Sequence, residues 1–573
     1  MDITQRTNLA RELAAIDVPR TSVAFRCDDD KISALMAKAE ALAAANIVQF
    51  SPDMKALIEG GGYSSVYTET QPMGGEAYAK RDVRLGLNNQ LLFMMCQRAD
   101  GRLSGRVISL GQRDMSGWRT DPVYVYSDGD WESIGLLADF GQLQGNALPH
   151  PAFKMYFLAG KPAGYLDLLA ETLEAFDDYL WRTRDPDGEG VLQSYCVWDT
   201  GEDNSARFGG SPNRWPHDYP PMGEHTPRQD DEGDKLKYYQ WCSERELTEK
   251  IKMPFRSMDM MAYSYENRAV RALISDETGD GKADAWRAKA DEVRQALRKH
   301  LWRPERGAAF DKDRNGEWMD TLIHNNLRCM YYGVFSQDMA DEFIQRHLLN
   351  PDEFLTPVPL PSIAVNDPLF MNIPDNNWGG QVQGLTFQRL VRAMENYGRY
   401  AELTFIGRKI LAALKAANLL TQQFDPFDAV NPAKDNKGRE GYGPTVLAFM
   451  DYVARFYGIH IERDTVMWTG LTDAGSVEYT QVFGDETYTL RNDGSTITAS
   501  VNDAPVFKCS CGVRVHTDMA GAVTATVGVD TVAHQVTLNM GDIVHKLTVE
   551  PNQIWAFSED KAMLTSSKAS LVA

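Results

Sequence analysis

The run Thr200-Gly201-Glu202-Asp203-Asn204-Ser205-Ala206-Arg207-Phe208 places three ionisable side chains close together, with Trp198, Phe208 and Trp215 around them. A carboxyl group among aromatic faces loses solvation of its charged form, so its pKa rises and it keeps a proton near neutral pH. Asp203 is on that ground a candidate general acid. Arg207 lies four residues further on and reaches the same ligand if the segment turns helically. An Asp before a turn is also a common helix N-cap, here for a helix beginning at Asn204, and the residues alone leave both readings open. Ten of the 12 tryptophans fall between Trp118 and Trp378, largely in or beside loops. That concentration fits a pocket walled by aromatic faces of the kind sugars stack on.

The elements that must hold these residues follow from periodicity. Apolar residues recur at helical spacing over 85–96, 152–158, 165–181, 258–274, 285–301, 322–332, 339–348, 385–397, 400–418 and 445–457, with Gly, Pro, Asn and Asp loops between them. Paired helices with long loops gathered at one end predict a toroid of helical hairpins, residues 76–465, in which an inner ring packs against an outer ring and the loops build the pocket. After residue 466 the pattern changes to short alternating segments rich in Val and Thr, with turns such as Asn492-Asp493-Gly494. Residues 466–573 are expected to be an antiparallel β-sandwich and an accessory domain. Residues 1–75 combine helical segments at 7–16 and 31–45 with strand-like pieces near 62–70, and read as an N-terminal segment or lobe.

Composition bounds the function classes. The 573 residues carry 59 Lys and Arg against 80 Asp and Glu, a formal charge of −21 with a sequence pI near 5.0. Such a surface repels phosphate backbones and anionic lipid, and no basic run offsets it, so neither nucleic acid nor membrane is an expected partner. No apolar stretch approaches the ~20 residues of a bilayer span. The first 20 residues lack a signal-peptide core, which leads to the expectation of a cytoplasmic protein. Seven cysteines, mostly inside apolar segments, suit reduced buried thiols better than a disulfide framework.

The segment from Trp198 to Phe208 resembles the T/S-G-x-D-N-S-x-R-W/F signature of glycoside hydrolase family 63. That family includes processing α-glucosidases and bacterial mannosylglycerate and glucosylglycerate hydrolases, and the related trehalases of family 37 carry a similar G-W-D motif. Further similarity lies in Phe354-Leu355-Thr356-Pro357-Val358-Pro359-Leu360-Pro361-Ser362, then Asn377-Trp378-Gly379-Gly380, then Tyr397-Gly398. The resemblance implies an (α/α)6 toroid that cleaves a small or oligomeric α-glycoside with inversion, Asp203 serving as general acid. It also implies that Trp198 and Trp378 line the cleft. Arg81-Asp82 stands where the family has a W-D pair whose Asp grips sugar hydroxyls; an N-cap for the next helix is the other reading of Asp82.

Inversion needs a second carboxylate that activates water on the opposite face of the sugar, about 6.5 to 9.5 Å from the acid. The family carries Glu at the start of an E-x-Y/F-D/E-P motif, and the matching stretch here is Gln422-Gln423-Phe424-Asp425-Pro426. An amide cannot accept that proton. Glu440, in Gly438-Arg439-Glu440-Gly441-Tyr442-Gly443-Pro444-Thr445, is the candidate base, with Asp425 in reserve. Tyr442 and Gln422 are then expected at the cleft, and Arg439 could instead hold Glu440 in an ion pair.

No cofactor is expected. Asp276, Asp280 and Asp284 sit at calcium-loop spacing, but Arg287 occupies the place of the twelfth-position acid, and an acidic turn between helices is the alternative. Cys509-x-Cys511 and His217 and His225 lack metal-site spacing. The 209–234 stretch, with five prolines, reads as a lid or a surface excursion. The leading function is an inverting α-glycosidase. The alternatives are a carbohydrate-binding protein with altered catalysis and a sugar isomerase or epimerase on the same barrel.

Overall fold

The computed structural model describes residues 1–111, 129–140, 143–195, 197–202, 205–208, 254–372, 378–430, 439–557 and 563–572. Two bodies share one apolar core: a helical body, and a pair of sheets that follows it in the chain.

The helical body is built from Gln71–Tyr78, Val83–Met95, Pro149–Leu158, Tyr165–Arg184, Met258–Thr278, Ala283–His300, Asn325–Tyr332, Gln337–Phe343, Gly384–Glu395, Tyr400–Ala417 and Gly443–Tyr457. Helices Met258–Thr278, Asn325–Tyr332, Gly384–Glu395 and Gly443–Tyr457 pack in succession. Each is buried over nearly its whole length, and their starts meet: Asn325 donates to Asp259 at 2.8 Å, Thr386 Oγ1 lies 3.0 Å from His324 Nδ1, and a Cβ at Gly384 would clash with the Thr445 side chain. Local chemistry sets those starts. Ser257 caps Met258–Thr278 through the Met260 N–H, Gly279 closes the helix in the left-handed conformation, and Pro444 sits in the first turn of Gly443–Tyr457.

Beyond the helices lie a seven-stranded and a six-stranded antiparallel sheet. In the first, Val477–Phe483, Glu486–Asn492, Thr496–Val501 and Ala504–Ser510 run as consecutive neighbours, followed by His534–Met540 and Ile543–Val549. The second orders Ile459–Glu462, Thr465–Thr469, Arg514–Asp518, Val523–Val527, Ile554–Phe557 and Met563–Ser566. Strands such as Glu486–Asn492 and His534–Met540 alternate buried and more exposed positions, as a sheet with one core face requires.

The N-terminal stretch is divided among these parts. Helix Ile3–Ala15 packs on Val83–Met95, and Asp30–Ala45 packs on Gly443–Tyr457. Between them, Thr21–Cys27 adds to the seven-stranded sheet as an edge strand, with Thr21 opposite Phe483 and Cys27 opposite Val477. Among the described residues, no helix is long and apolar enough to cross a membrane. Cys27, Cys96, Cys329, Cys509 and Cys511 are free thiols.

Candidate active site

The segment carrying the acid motif lies across the gathered ends of the buried helices. Val197–Thr200 and Ala206–Phe208 are short 3-10 turns, and Gly201 between them adopts φ +76°. A Cβ at Gly201 would fall 2.3 Å from an oxygen of Glu69, so only glycine lets the segment lie on that carboxylate. Asp199 anchors one end: its Oδ2 accepts from Arg184 Nη1 at 3.1 Å and from the Tyr195 N–H at 2.9 Å.

Glu202 anchors the other. It is 1% exposed, and its Oε2 accepts from Arg207 Nε at 3.1 Å, while Oε1 meets His324 Nε2 at 2.8 Å and Arg328 Nη2 at 3.0 Å. Burial would raise this carboxyl's pKa, but the Arg207 and Arg328 guanidiniums and His324 overcome it and hold the group well below the usual carboxylate range. Arg207 also binds Asp311, and Asp259 at 3.4 Å. Burial pushes Asp311 up to about 7 despite Arg207. His324 is lowered, first by burial; its Nδ1 lies 3.0 Å from Thr386 Oγ1. Trp378, 4% exposed, tilts against the His324 ring at 5.7 Å, and the Arg328 guanidinium lies 5.7 Å from its centroid.

Glu69 extends the cluster toward the helix ends. Arg389 Nη2 donates to its Oε1 at 3.0 Å, and Arg328 Nη2 lies 3.6 Å away. Beyond it, Tyr63 donates its hydroxyl to Gln422 Oε1 at 3.2 Å, and the Tyr63 ring meets Tyr442 edge-on at 6.1 Å. Glu59 hydrogen-bonds Tyr442, and burial, reinforced by Glu69, pushes it up to about 8.

The sequence-derived residues fall into three groups. Trp378, Gln422, Tyr442 and Arg207 belong to this assembly, though Arg207 commits its guanidinium to three carboxylates. Asp203 and the Trp198 side chain lie outside the described residues, as do Trp215, His217 and His225. Arg81, Asp82 and Glu440 are turned to other work. Asp82 accepts the Leu85 N–H at 3.2 Å as N-cap of Val83–Met95, which fits the other reading of that residue, and Arg81 pairs with Glu40 at 2.6 Å. Glu440 is ion-paired with Lys38 on Asp30–Ala45, whose Nζ also donates to the Asn418 carbonyl at 2.7 Å. That pair, rather than one with Arg439, occupies the carboxylate proposed as base. Asp425 closes its own turn through the Phe427 N–H at 2.8 Å.

The acidic turn is neutralised by arginines. Arg287 pairs with both Asp276 and Asp284, and Arg271 with Asp280 at 2.8 Å. Among the described residues, no group of three His, Cys, Asp or Glu side chains is arranged to hold a metal ion. Sequence reasoning missed Glu59, Glu69, His324, Arg328 and Arg389. The signal for the first two was faint: one carboxylate on each side of a triple-glycine turn, the second within a stretch that reads as strand-like.

Residues 114–441 match the mannosylglycerate hydrolase MGH1-like glycoside hydrolase domain, more than half of the chain. The chain belongs to that family. As a member of the MGH1-like glycoside hydrolases, it is similar to the mannosylglycerate hydrolase of Rubrobacter radiotolerans, with 25% identity over 281 residues, 46% of this chain and 63% of that relative. The match thus spans less than two thirds of the relative's length. The crystal structure of the family 63 mannosylglycerate hydrolase from Thermus thermophilus in complex with Tris is covered completely by 73% of this chain, at 18% identity and a TM-score of 0.54. A structure described as a sialidase matches 91% of this chain and 45% of its own length, at 11% identity and a TM-score of 0.59. At these identities the likeness to the solved structures is one of fold.

Proposed function

We propose that this glycoside hydrolase cleaves a small or oligomeric α-glycoside with inversion, on helices closed as an (α/α)6 toroid within residues 76–465, with Asp203 as general acid. The observation that carries the reading is the acid-motif segment itself. It is clamped at Glu202 by Arg207, Arg328 and His324 and seated through Gly201 on Glu69. Glu202 and Arg207, which flank the proposed donor in sequence, are thereby tied to fixed neighbours. In the step, the acid proton passes to the glycosidic oxygen as the anomeric C–O bond breaks. A water oxygen bonds the anomeric carbon from the opposite face and gives its proton to a second carboxylate.

Trp378, next to His324 and Arg328, supplies an aromatic face for the sugar, and Tyr63, Gln422 and Tyr442 supply polar contacts at the other edge. Free buried thiols fit a reducing, cytoplasmic setting. A glycosyl glycerate, the substrate in the relatives' names, is the first compound to try. A carbohydrate-binding protein with altered catalysis is the second reading, favoured by Gln422, an amide, hydrogen-bonded to Tyr63. An isomerase is less supported, because both ring nitrogens of His324 are engaged.

The test is a screen of glycosyl glycerates, disaccharides and aryl α-glycosides, with D203N as comparator. Turnover by the wild type and a loss of about 100-fold or more in D203N, greatest for poor leaving groups, supports the reading. Binding without turnover across the screen supports the second reading instead.

A further inference from the structure

Activation of water requires a carboxylate that is free to take a proton, and most carboxylates of the assembly are not. Glu69, Glu202, Asp259 and Asp311 each contact at least one arginine, and Glu440 contacts Lys38. Among the described residues of this assembly, Glu59 is the carboxylate without an Arg or Lys ion pair. Its partner is the Tyr442 hydroxyl.

The backbone fixes Glu59 beside the residues proposed to meet the sugar. Gly60, Gly61 and Gly62 all have positive φ, at 73°, 59° and 95°. They form a turn closed by reciprocal bonds, Gly60 N–H to Tyr63 O and Tyr63 N–H to Gly60 O, both 3.0 Å. Other residues pay a steric penalty for such angles, and Gly60 and Gly61 also lack room: a Cβ would lie 2.2 Å from the Asn46 side chain and 2.8 Å from the Arg439 carbonyl. The turn folds Tyr63 back beside Glu59, and the Gly443 N–H donates to the Glu59 carbonyl at 2.6 Å. Tyr63 holds Gln422, Tyr442 holds Glu59, and the two tyrosine rings touch.

We propose that Glu59, on the Gly60–Tyr63 turn beside Gln422, is the carboxylate that accepts the proton of the attacking water. This rests on the hydrolase reading above. The water's O–H bond breaks toward a Glu59 oxygen as its oxygen bonds the anomeric carbon. The proton later leaves to solvent, and Asp203 is reprotonated, so no other reactant is required. Glu59 faces Glu69, Tyr67 and Tyr442, with Arg439 as the nearby cation. Burial and Glu69 hold it near 8, which makes its ionised form a stronger base than an ordinary carboxylate and sets activity to rise with pH through that value.

The experiment uses the full chain and an aryl α-glycoside that the wild type hydrolyses. E59Q is expected to lose kcat by about 100-fold or more with KM within a few-fold. In E59A, sodium azide is expected to restore turnover at least about tenfold and to yield the β-glycosyl azide, with the rising limb near pH 8 gone. Should E59Q fail to fold, E59D, which holds the carboxylate one methylene back, is expected to bind the sugar normally and lose kcat. An active wild type whose E59Q or folded E59D matches it within threefold, or whose E59A is indifferent to azide, overturns the assignment of Glu59 alone. A wild type that turns over no glycoside overturns the hydrolase reading, and with it this one.

Discussion

Glu202 and Arg207, on either side of the proposed acid, meet at 3.1 Å with both side chains 1% exposed. Removing one partner of such a pair leaves the other buried and uncompensated, a cost of about 3–5 kcal/mol. E202Q leaves Arg207 its Asp259 and Asp311 partners and Arg328 its Glu69 and Asp259 partners, so it is expected to cost less than full isolation, about 1–3 kcal/mol. Urea denaturation at pH 7 checks it. The wild-type contribution is present above the ordinary Glu range and fades as pH falls through the depressed folded-state value, so the gap between the two proteins should narrow in strong acid.

Glu59 and Asp311 act in the opposite sense. Their folded-state values are raised, to about 8 and about 7, so their contribution is fully present below pH 4 and is lost as pH rises through 7 to 8. Between pH 5 and 9 the wild type should lose more stability than E59Q, by up to about 4 kcal/mol. Unfolding midpoints of both proteins across that range measure it, and parallel curves would contradict it.

Asp82 and Trp378 separate fold from function. D82A removes the N-cap of Val83–Met95 and should lower stability by about 1 kcal/mol while leaving monosaccharide binding unchanged. W378A should weaken binding of a monosaccharide inhibitor by about 1 kcal/mol through loss of its aromatic face. Calorimetric titration of both variants distinguishes the roles.

Tyr63 links the Gly60–Tyr63 turn to Gln422. Y63F deletes one hydrogen bond to a buried amide, and a cost of about 1 kcal/mol in ligand affinity is expected. The companion Q422A should add little more, since both changes break the same bond. Additive losses in a double-mutant cycle would show that the two residues act separately.

The helices were legible because their apolar spacing persists over many turns: Met258–Thr278 and Tyr400–Ala417 begin where periodicity begins. The Val- and Thr-rich strands from residue 477 onward were legible for the same reason at period two. Thr21–Cys27 was not, because its partner lies more than 450 residues away and pairing at that distance leaves no local mark. Asp82 and Glu440 stand at plausible places in their motifs, and the fold gives each a partner that the motifs do not show. One caps the helix it starts, and the other is ion-paired with Lys38 on a helix distant in sequence. Glu59 and Glu69 lie in a polar, glycine-rich stretch with no periodicity, and only the folded chain brings them to Tyr442, Arg389 and Gly201.

The configuration of the first-formed sugar tests inversion most directly. Proton NMR recorded in the first minutes of hydrolysis of an α-glycoside, before mutarotation, is predicted to show the β-anomer appearing ahead of the α-anomer. Initial appearance of the α-anomer would contradict inversion and the water-activating carboxylate that it requires.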